Sequence, residues 1–421
     1  MELKKDFKNT EIGSVHKDWK VKSLGFLCSY INDGTHHTPN YVNKGIPFYS
    51  VENVSNDNFS QTKYISEKEH SILSKRCSPA KGDILMTRIG TLGKTKLIDW
   101  DVNASIYVSL ALLKMNGLVD NSYLFNYTKS DFFINEVKKR ALLNATPQKI
   151  NMGEISEIPI YFPPELKEQQ AIANVLSDTD QLIQNLKNLI AKKKVIKQGA
   201  MQELLTGKKR LQGFTEEWET KKLGEIAFIK TGSKNNQDKI SDGNFPFFVR
   251  SQFVERINTY SYNCEAILVP GEGGIGSIFH YINGKFDVHQ RVYVINDFSQ
   301  NVFGKYVYLF MKEHFGTHAM KNSVKATVDS LRLPTFQEFE IKIPKDIQEQ
   351  QTIAQILSDM DAEIEALEQQ LQKTQTLKQG MMQELLTGKI RLLKPVAQEK
   401  TEPLAMVAEP EVVYKKHKKK I

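Results

Sequence analysis

Only three of the 421 residues are cysteine, and Cys28, Cys77 and Cys264 stand far apart, without the paired spacing of a zinc site or a redox motif. That scarcity excludes a disulfide-braced secreted module and points to a reducing compartment, the cytoplasm. Long hydrophobic runs are missing as well. No window reaches the roughly 18–20 apolar residues of a membrane span. The opening MELKKDFKNTEIG has no apolar stretch of a signal peptide, so no membrane partner is expected.

Catalytic signatures are absent too. No phosphate-binding P-loop occurs. GEGGIG (271–276) satisfies the G-x-G-x-x-G pattern, but a dinucleotide site needs a helix N-terminus next. The next residues, SIFHYINGKFDVHQRVYVI, read as strands and turns, so a β-hairpin with tight glycine turns is the better account. His314 and His318 are four apart, yet HFGTH lacks the glutamate of a zinc protease and has no third ligand. Glu165-Leu166-Lys167 has no acidic partner ahead of it, and FPPE (162–165) is not the Asn/Asp-Pro-Pro-aromatic signature of an amino-methyltransferase. No catalytic residue, metal ligand or bound cofactor is expected.

What is present is repetition. KQGAMQELLTGK (197–208) returns as KQGMMQELLTGK (378–389), and EQQAIANVLSDTDQLI (168–183) as EQQTIAQILSDMDAEI (349–364). One shift of 181 residues aligns both without a gap, with 25 identities in the 44 positions from Glu168 to Leu211. The intervening parts repeat more faintly. DWKVKSLGFL (18–27) matches EWETKKLGEI (217–226) and IPFYS (46–50) matches FPFFV (245–249) at a shift of 199, and ATPQKI (145–150) matches ATVDSL (326–331) at 181. The chain is therefore two tandem units, each a variable globular domain followed by a more uniform segment.

The uniform segments read as helices. Ile172, Leu176, Thr179, Ile183, Leu186 and Ile190, and likewise Ile353, Leu357, Met360, Ile364, Leu367 and Leu371, follow the alternating four-three spacing of a coiled coil. Pro163-Pro164 and Pro344 precede them, and Gly207 and Gly388 stand where C-terminal cap glycines belong. About 38 residues at 1.5 Å each make a rod of roughly 55–60 Å. Charge chooses the direction. The first helix has Asp178 and Asp180 early, then Lys187, Lys192, Lys193, Lys194 and Lys197. The second has Asp359, Asp361, Glu363, Glu365 and Glu368 early, then Lys373 and Lys378. Only an antiparallel pair sets lysines against carboxylates at both ends. Gly199 and Gly380 are aligned glycines inside the helical pattern. Each is either a tolerated weak point of about 1 kcal/mol or the mark of close approach by another backbone, in this chain or a partner.

Residues 14–165 and 214–345 carry short apolar runs such as GDILMTRIG and EAILVPG, with turn signals between them and some short helical patterns. The fold class expected is α+β: an N-terminal segment (1–13), a first domain (14–165), helix one (166–213), a second domain (214–345), helix two (346–394) and a tail (395–421). The tail is Pro/Glu/Lys-rich and of disordered composition. The stretch from Lys394 onward carries +3 of the formal charge of +8, and its KKHKKK (415–420) either adds phosphate attraction or is inert. Basic, polar loops interrupt both domains. His36 and His37 lie in YINDGTHHTPN, Arg88 in TRIGTLGK, followed by Lys94 and Lys96. Lys230, Lys234 and Asn235 lie in IKTGSKNNQDK, followed by Arg250, Gln252, Gln290, Arg291, Lys321 and Lys325. These residue types read base edges and hold phosphates. Any single loop is more often merely solvated; recurrence in both domains favours DNA contact for the set.

The doubled EQQ.IA..LSD.D and KQG.MQELLTGK.RL, each after a variable domain that opens with Trp and then Leu-Gly, resemble the specificity subunit of type I restriction–modification systems, and do so up to about Lys394. The resemblance implies two target recognition domains, each reading one half of an interrupted, asymmetric sequence in double-stranded DNA. It implies antiparallel helices that set the gap between half-sites and dock two methyltransferase subunits, with Gly199, Met201, Leu204, Gly380, Met382 and Leu385 as candidate docking residues. S-adenosylmethionine would come with the methyltransferase subunits, and ATP and Mg with motor-nuclease subunits; this chain would perform no reaction. Two alternatives remain. One is a recognition subunit for a fused nuclease–methyltransferase that cuts outside its site. The other is a structural coiled-coil protein, which predicts no salt-dependent DNA affinity.

Overall fold

The structure, a computed structural model, describes residues 6–11, 13–274, 276–322 and 330–393. The chain forms two compact units. One runs up to Asp180 and resumes at Thr376; the other holds Gln181–Gln375. Both cuts fall inside the long helices, so the stretches expected to be consecutive are interleaved. Each unit combines one globular domain, the start of the helix after it and the end of the other helix.

The first unit contains strands β1 (Cys28–Asp33), β2 (Tyr41–Val42), β3 (Ile46–Tyr49), β4 (Lys63–Ile65), β5 (Ile84–Thr87), β6 (Thr95–Leu97), β7 (Ser105–Ile106) and β8 (Leu110–Met115). They form two sheets, ordered β1-β8-β5-β6 and β7-β3-β4-β2. Helices α1 (Asn121–Tyr127) and α2 (Asp131–Arg140) come next. The start of α2 is set by the Ser130 hydroxyl, which accepts from the Phe133 amide, and its last turn carries Lys138, Lys139 and Arg140 against the negative helix end. The continuous apolar run of β5 and β8 is explained by burial on both faces. Ile84, Met86, Ala111 and Leu113 enter one core, while Leu85, Leu110 and Leu112 enter another.

The second unit contains β9 (Phe228–Thr231), β10 (Phe245–Phe248), β11 (Glu255–Ile257), β12 (Tyr262–Pro270), β13 (His280–Val288) and β14 (Val292–Asn296) in one sheet ordered β9-β14-β12-β13-β10-β11. This is the strand order of the first unit without its edge strand β2, and with nine-residue β13 spanning what is broken there into β6 and β7. A parallel strand pairing also recurs: Ser105 lies opposite Phe48, and Asp287 opposite Phe247. The faint repeats are thus one topology used twice. GEGGIG falls in the β12–β13 hairpin, so its strand-turn-strand reading holds, and TRIGTLGK falls in the β5–β6 hairpin.

Helices α3 (Leu166–Leu204) and α5 (Ile347–Leu385) have 39 residues each, and α4 (Gly304–Asn322) precedes the latter. Their pairing is antiparallel within each unit. In the second, Lys193 meets Glu363 and Lys194 meets Glu368, both at 2.6 Å, and Lys197 pairs with Asp361. In the first, Lys378 meets Asp180 at 2.5 Å. Burial pushes the Asp180 carboxyl up, but the Lys378 and Lys129 ammonium groups outweigh it and hold it below the usual range. Of the twelve expected seam positions, Ile172, Leu176, Ile183, Leu186, Ile190, Ile353, Leu357 and Ile364 are buried, while Thr179, Met360, Leu367 and Leu371 are half-buried.

The repeated motifs have internal roles. Arg210 forks onto Glu349 at 2.8 and 2.9 Å, and in the other unit Arg391 forks onto Glu168, with its Nη2 at 2.6 Å. The neighbouring glutamines tie loops to the helix starts. Gln169 accepts from the Asp120 amide and donates to the Pro163 carbonyl; Gln350 accepts from the Phe303 amide and donates to the Pro344 carbonyl. Gly207 and Gly388 have φ of +67° and +71°. A Cβ on either would press against Trp218 or Trp19, the tryptophan that opens each domain. Glycine is required there twice over, for the left-handed turn and for the ring.

Candidate nucleic-acid interface

Four loops of the second unit converge through named contacts. The segment after β9 is bridged to the β13–β14 turn, where the Gln290 amide donates to the Lys234 carbonyl at 2.9 Å and the Gln290 side chain to Asn235 Oδ1 at 2.7 Å. The same turn meets the β12–β13 hairpin, since the Gly271 amide donates to the Arg291 carbonyl. Arg291 and Arg250 then share one carboxylate. Arg291 pairs with Glu272 Oε1, and Arg250 lies 3.2 Å from Oε2. Lys234 lies 3.7 Å from the buried Asp287. His289 sits among them, and burial, then the charges of Arg250 and Arg291, pull its pKa below the ordinary value. It is neutral at neutral pH, and its Nδ1 accepts from the Arg291 amide.

The sequence candidates Lys234, Asn235, Arg250, Gln290 and Arg291 therefore form one contact network, and Gln252 lies exposed on the loop that begins with Arg250. Two guanidinium groups on one carboxylate leave a net positive charge with fixed direction. Arginine forks match guanine O6 and N7, and Asn or Gln matches adenine. Lys230 is on strand β9 instead, its ammonium 5.2 Å from the Tyr262 ring centroid. Lys321 is exposed in the last turn of α4. Lys325 and the tail after Lys394 lie outside the described residues.

In the first unit the arrangement is similar, but one expectation is overturned. Arg88 is 7% exposed, not a free basic group. It lies 3.1 Å from Asp33 and donates to the carbonyls of Val108 and Ile150. Burial pulls its pKa down and Asp33 pulls it back up. Its hydrogen bonds hold β1, the β7–β8 turn and the segment before helix 152–156 together, so its donors are taken up inside the fold. The exposed partners of Asp33 are Arg76 at 2.7 Å and His36 at 3.0 Å. His37 is exposed and hydrogen-bonds Thr35. Lys94 donates to the Ser55 carbonyl, and Lys96 pairs with Asp57 at 2.6 Å. Asp33, Arg76 and Glu272 had no signal in the sequence, because their roles depend on loops brought together from distant positions; His289 stood in the HQR stretch (289–291) only as part of a basic loop.

The docking candidates also divide. Met201 and Leu204 are buried with Ile353 and Leu357, and Leu385 with Ile172 and Leu176, so these three are core residues and present no surface. Met382 is half-buried and lines a recess of about 340 Å³ with Gln379, Gln383, Lys129 and Lys389. Gly199 and Gly380 are exposed, and nothing lies within 4 Å of a Cβ added to either. The close backbone approach within the chain is therefore not found.

His314 and His318 belong to an aromatic core, against Phe310 at 4.5 Å and Phe315 at 5.9 Å. Among the described residues no group of three or more His, Cys, Asp or Glu is placed to hold a metal. No helix among them is long and apolar enough to cross a membrane.

The family model described as type I restriction modification DNA specificity domain matches this chain twice, over residues 16–194 and 215–377. The chain belongs to that specificity family. Its duplicated match coincides with the duplicated strand order. The specificity subunit of a putative type I restriction enzyme, MjaX, from Methanocaldococcus jannaschii is 25% identical over 92% of this chain and 97% of its own length. The MjaVIII specificity subunit of the same organism is 24% identical over 92% and 96%. Among solved structures, the type I S subunit from M. genitalium shares the fold with a TM-score of 0.64 at 16% identity, covering 91% of this chain and 98% of that one. The reading of the doubled motifs as those of a type I specificity subunit thus holds, with DNA recognition as its role.

Proposed function

We propose that each unit reads one half of a two-part, asymmetric sequence in double-stranded DNA and that the chain itself carries out no reaction. The observation that carries this reading is the shared frame with unlike tips. Both units share a strand order, yet the loops of one gather Arg250, Arg291, Gln290 and Asn235 and the loops of the other gather Arg76, His36 and His37. A common frame gives both modules the same way of meeting a duplex, and different side chains give them different base preferences.

The partners in this reading are two methyltransferase subunits and motor-nuclease subunits, which would bring S-adenosylmethionine, ATP and Mg to a cytoplasmic complex. The docking surface shifts from the apolar residues expected to the exposed face of the repeated helix ends. Gly199 and Gln202 in one copy and Gly380 and Gln383 in the other are identical and exposed. A face repeated by both copies suits two identical partners.

Co-expression with the methyltransferase partner should methylate one bipartite adenine motif across a genome, read by methylome sequencing. An assembled complex that leaves no new motif would refute the reading.

A further inference from the structure

Phe253 is 83% exposed, more than any other large hydrophobic side chain among the described residues. It stands in the short connection from β10 to β11, immediately after Arg250, Ser251 and Gln252. The connection is held at two points. The Ser251 hydroxyl donates to the Phe253 carbonyl at 2.8 Å, and the Ser251 carbonyl lies 2.9 Å from Nε2 of the buried His280. Arg250 is itself tied to Glu272 and, through it, to Arg291.

The equivalent connection of the first unit also carries an aromatic, Phe59, but that ring is packed 4.9 Å from Tyr49 and 5.1 Å from Trp100. The second unit leaves this ring in water, on a hydrogen-bonded connection that also carries Arg250. An exposed planar ring on the same loop as an arginine that is linked through one carboxylate to a second has the chemistry of a prong that stacks on bases once the arginines hold the backbone.

We propose that Phe253 stacks on a base of the half-site read by the second unit, entering the duplex at a base step. This rests on the DNA-reading role proposed above. Pyrimidine–purine steps open most easily, so that half-site should contain or adjoin a TA or CA/TG step at the point of entry.

The test uses the full chain assembled with its methyltransferase partner, and duplexes carrying the methylated motif with 2-aminopurine placed at successive positions. The wild-type complex should change the fluorescence of one position in the second half-site. Phe253→Ala should assemble normally, abolish that change and bind the cognate duplex roughly 5- to 100-fold more weakly. Phe253→Trp should restore both. Three results would overturn the proposal: cognate affinity of Phe253→Ala within twofold of wild type, weakened binding with no 2-aminopurine position responding in the wild type, or loss of the methyltransferase partner from Phe253→Ala, which would place the ring in a protein interface. Wild-type binding indifferent to sequence would instead sink the DNA-reading role, and this proposal with it.

Discussion

Arg210→Met tests whether the repeated residues hold the fold. The substitution keeps the bulk of the side-chain stem and removes the guanidinium. Glu349, with its side chain 1% exposed, is then left with the Trp218 indole N–H at 3.2 Å as its remaining side-chain donor. Two unit charges about 4 Å apart attract by about 4 kcal/mol at an effective dielectric near 20. Removing one partner of a buried pair costs about 3–5 kcal/mol, because the other charge stays buried. Arg210 is 32% exposed at its side chain, so water screens the pair. The expected loss is about 2–3 kcal/mol. Adding Glu349→Gln relieves the stranded charge and should return most of that loss. Urea unfolding of the full chain, followed by tryptophan fluorescence and fitted to two transitions, measures it, with Trp218 reporting the second unit. The transition of that unit should move to lower urea with unchanged slope. A single variant within about 0.5 kcal/mol of wild type, or a double variant no more stable than the single, would refute the reasoning. Arg391→Met should weaken the first unit in the same way, since its fork onto Glu168 is the equivalent pair.

Arg88→Gln should lower the stability of the first unit by about 2 kcal/mol or more, in thermal melts, because it leaves Asp33 and two carbonyls short of a donor. Glu272→Gln should release Arg250 and Arg291 from their shared carboxylate. Affinity for unrelated DNA should rise, and the slope of log affinity against log salt should steepen by about 1. His289 has a pKa below its unfolded value, so the stability it contributes is present above the unfolded pKa of about 6.5 and is lost as pH falls below it. The second unit should melt at lower temperature as pH drops from about 6.5, and His289→Gln should flatten that dependence. Gly380→Leu should fold normally, since the site is open, yet reduce co-purification of the methyltransferase partner; unchanged co-purification would remove the exposed glycine from the docking face.

The sequence by itself determined what periodicity and local charge encode. Most seam residues at four-three spacing become buried when the helices pair, and lysines placed against carboxylates favour the antiparallel direction. The shifts of 181 and 199 residues likewise announced one topology used twice. Tertiary structure alone decided which repeated residues face inward. Met201, Leu204 and Leu385 look like a docking stripe on an isolated helix, but each helix end is packed into the unit begun by the other helix. It also decided which cations are free. Arg88 and Arg250 are both arginines in loops; one is drawn into a buried network around Asp33, the other stays exposed on Glu272, because their partners lie 55 and 22 residues away. Burial and long-range pairing are properties of the assembled chain, and no local pattern carries them.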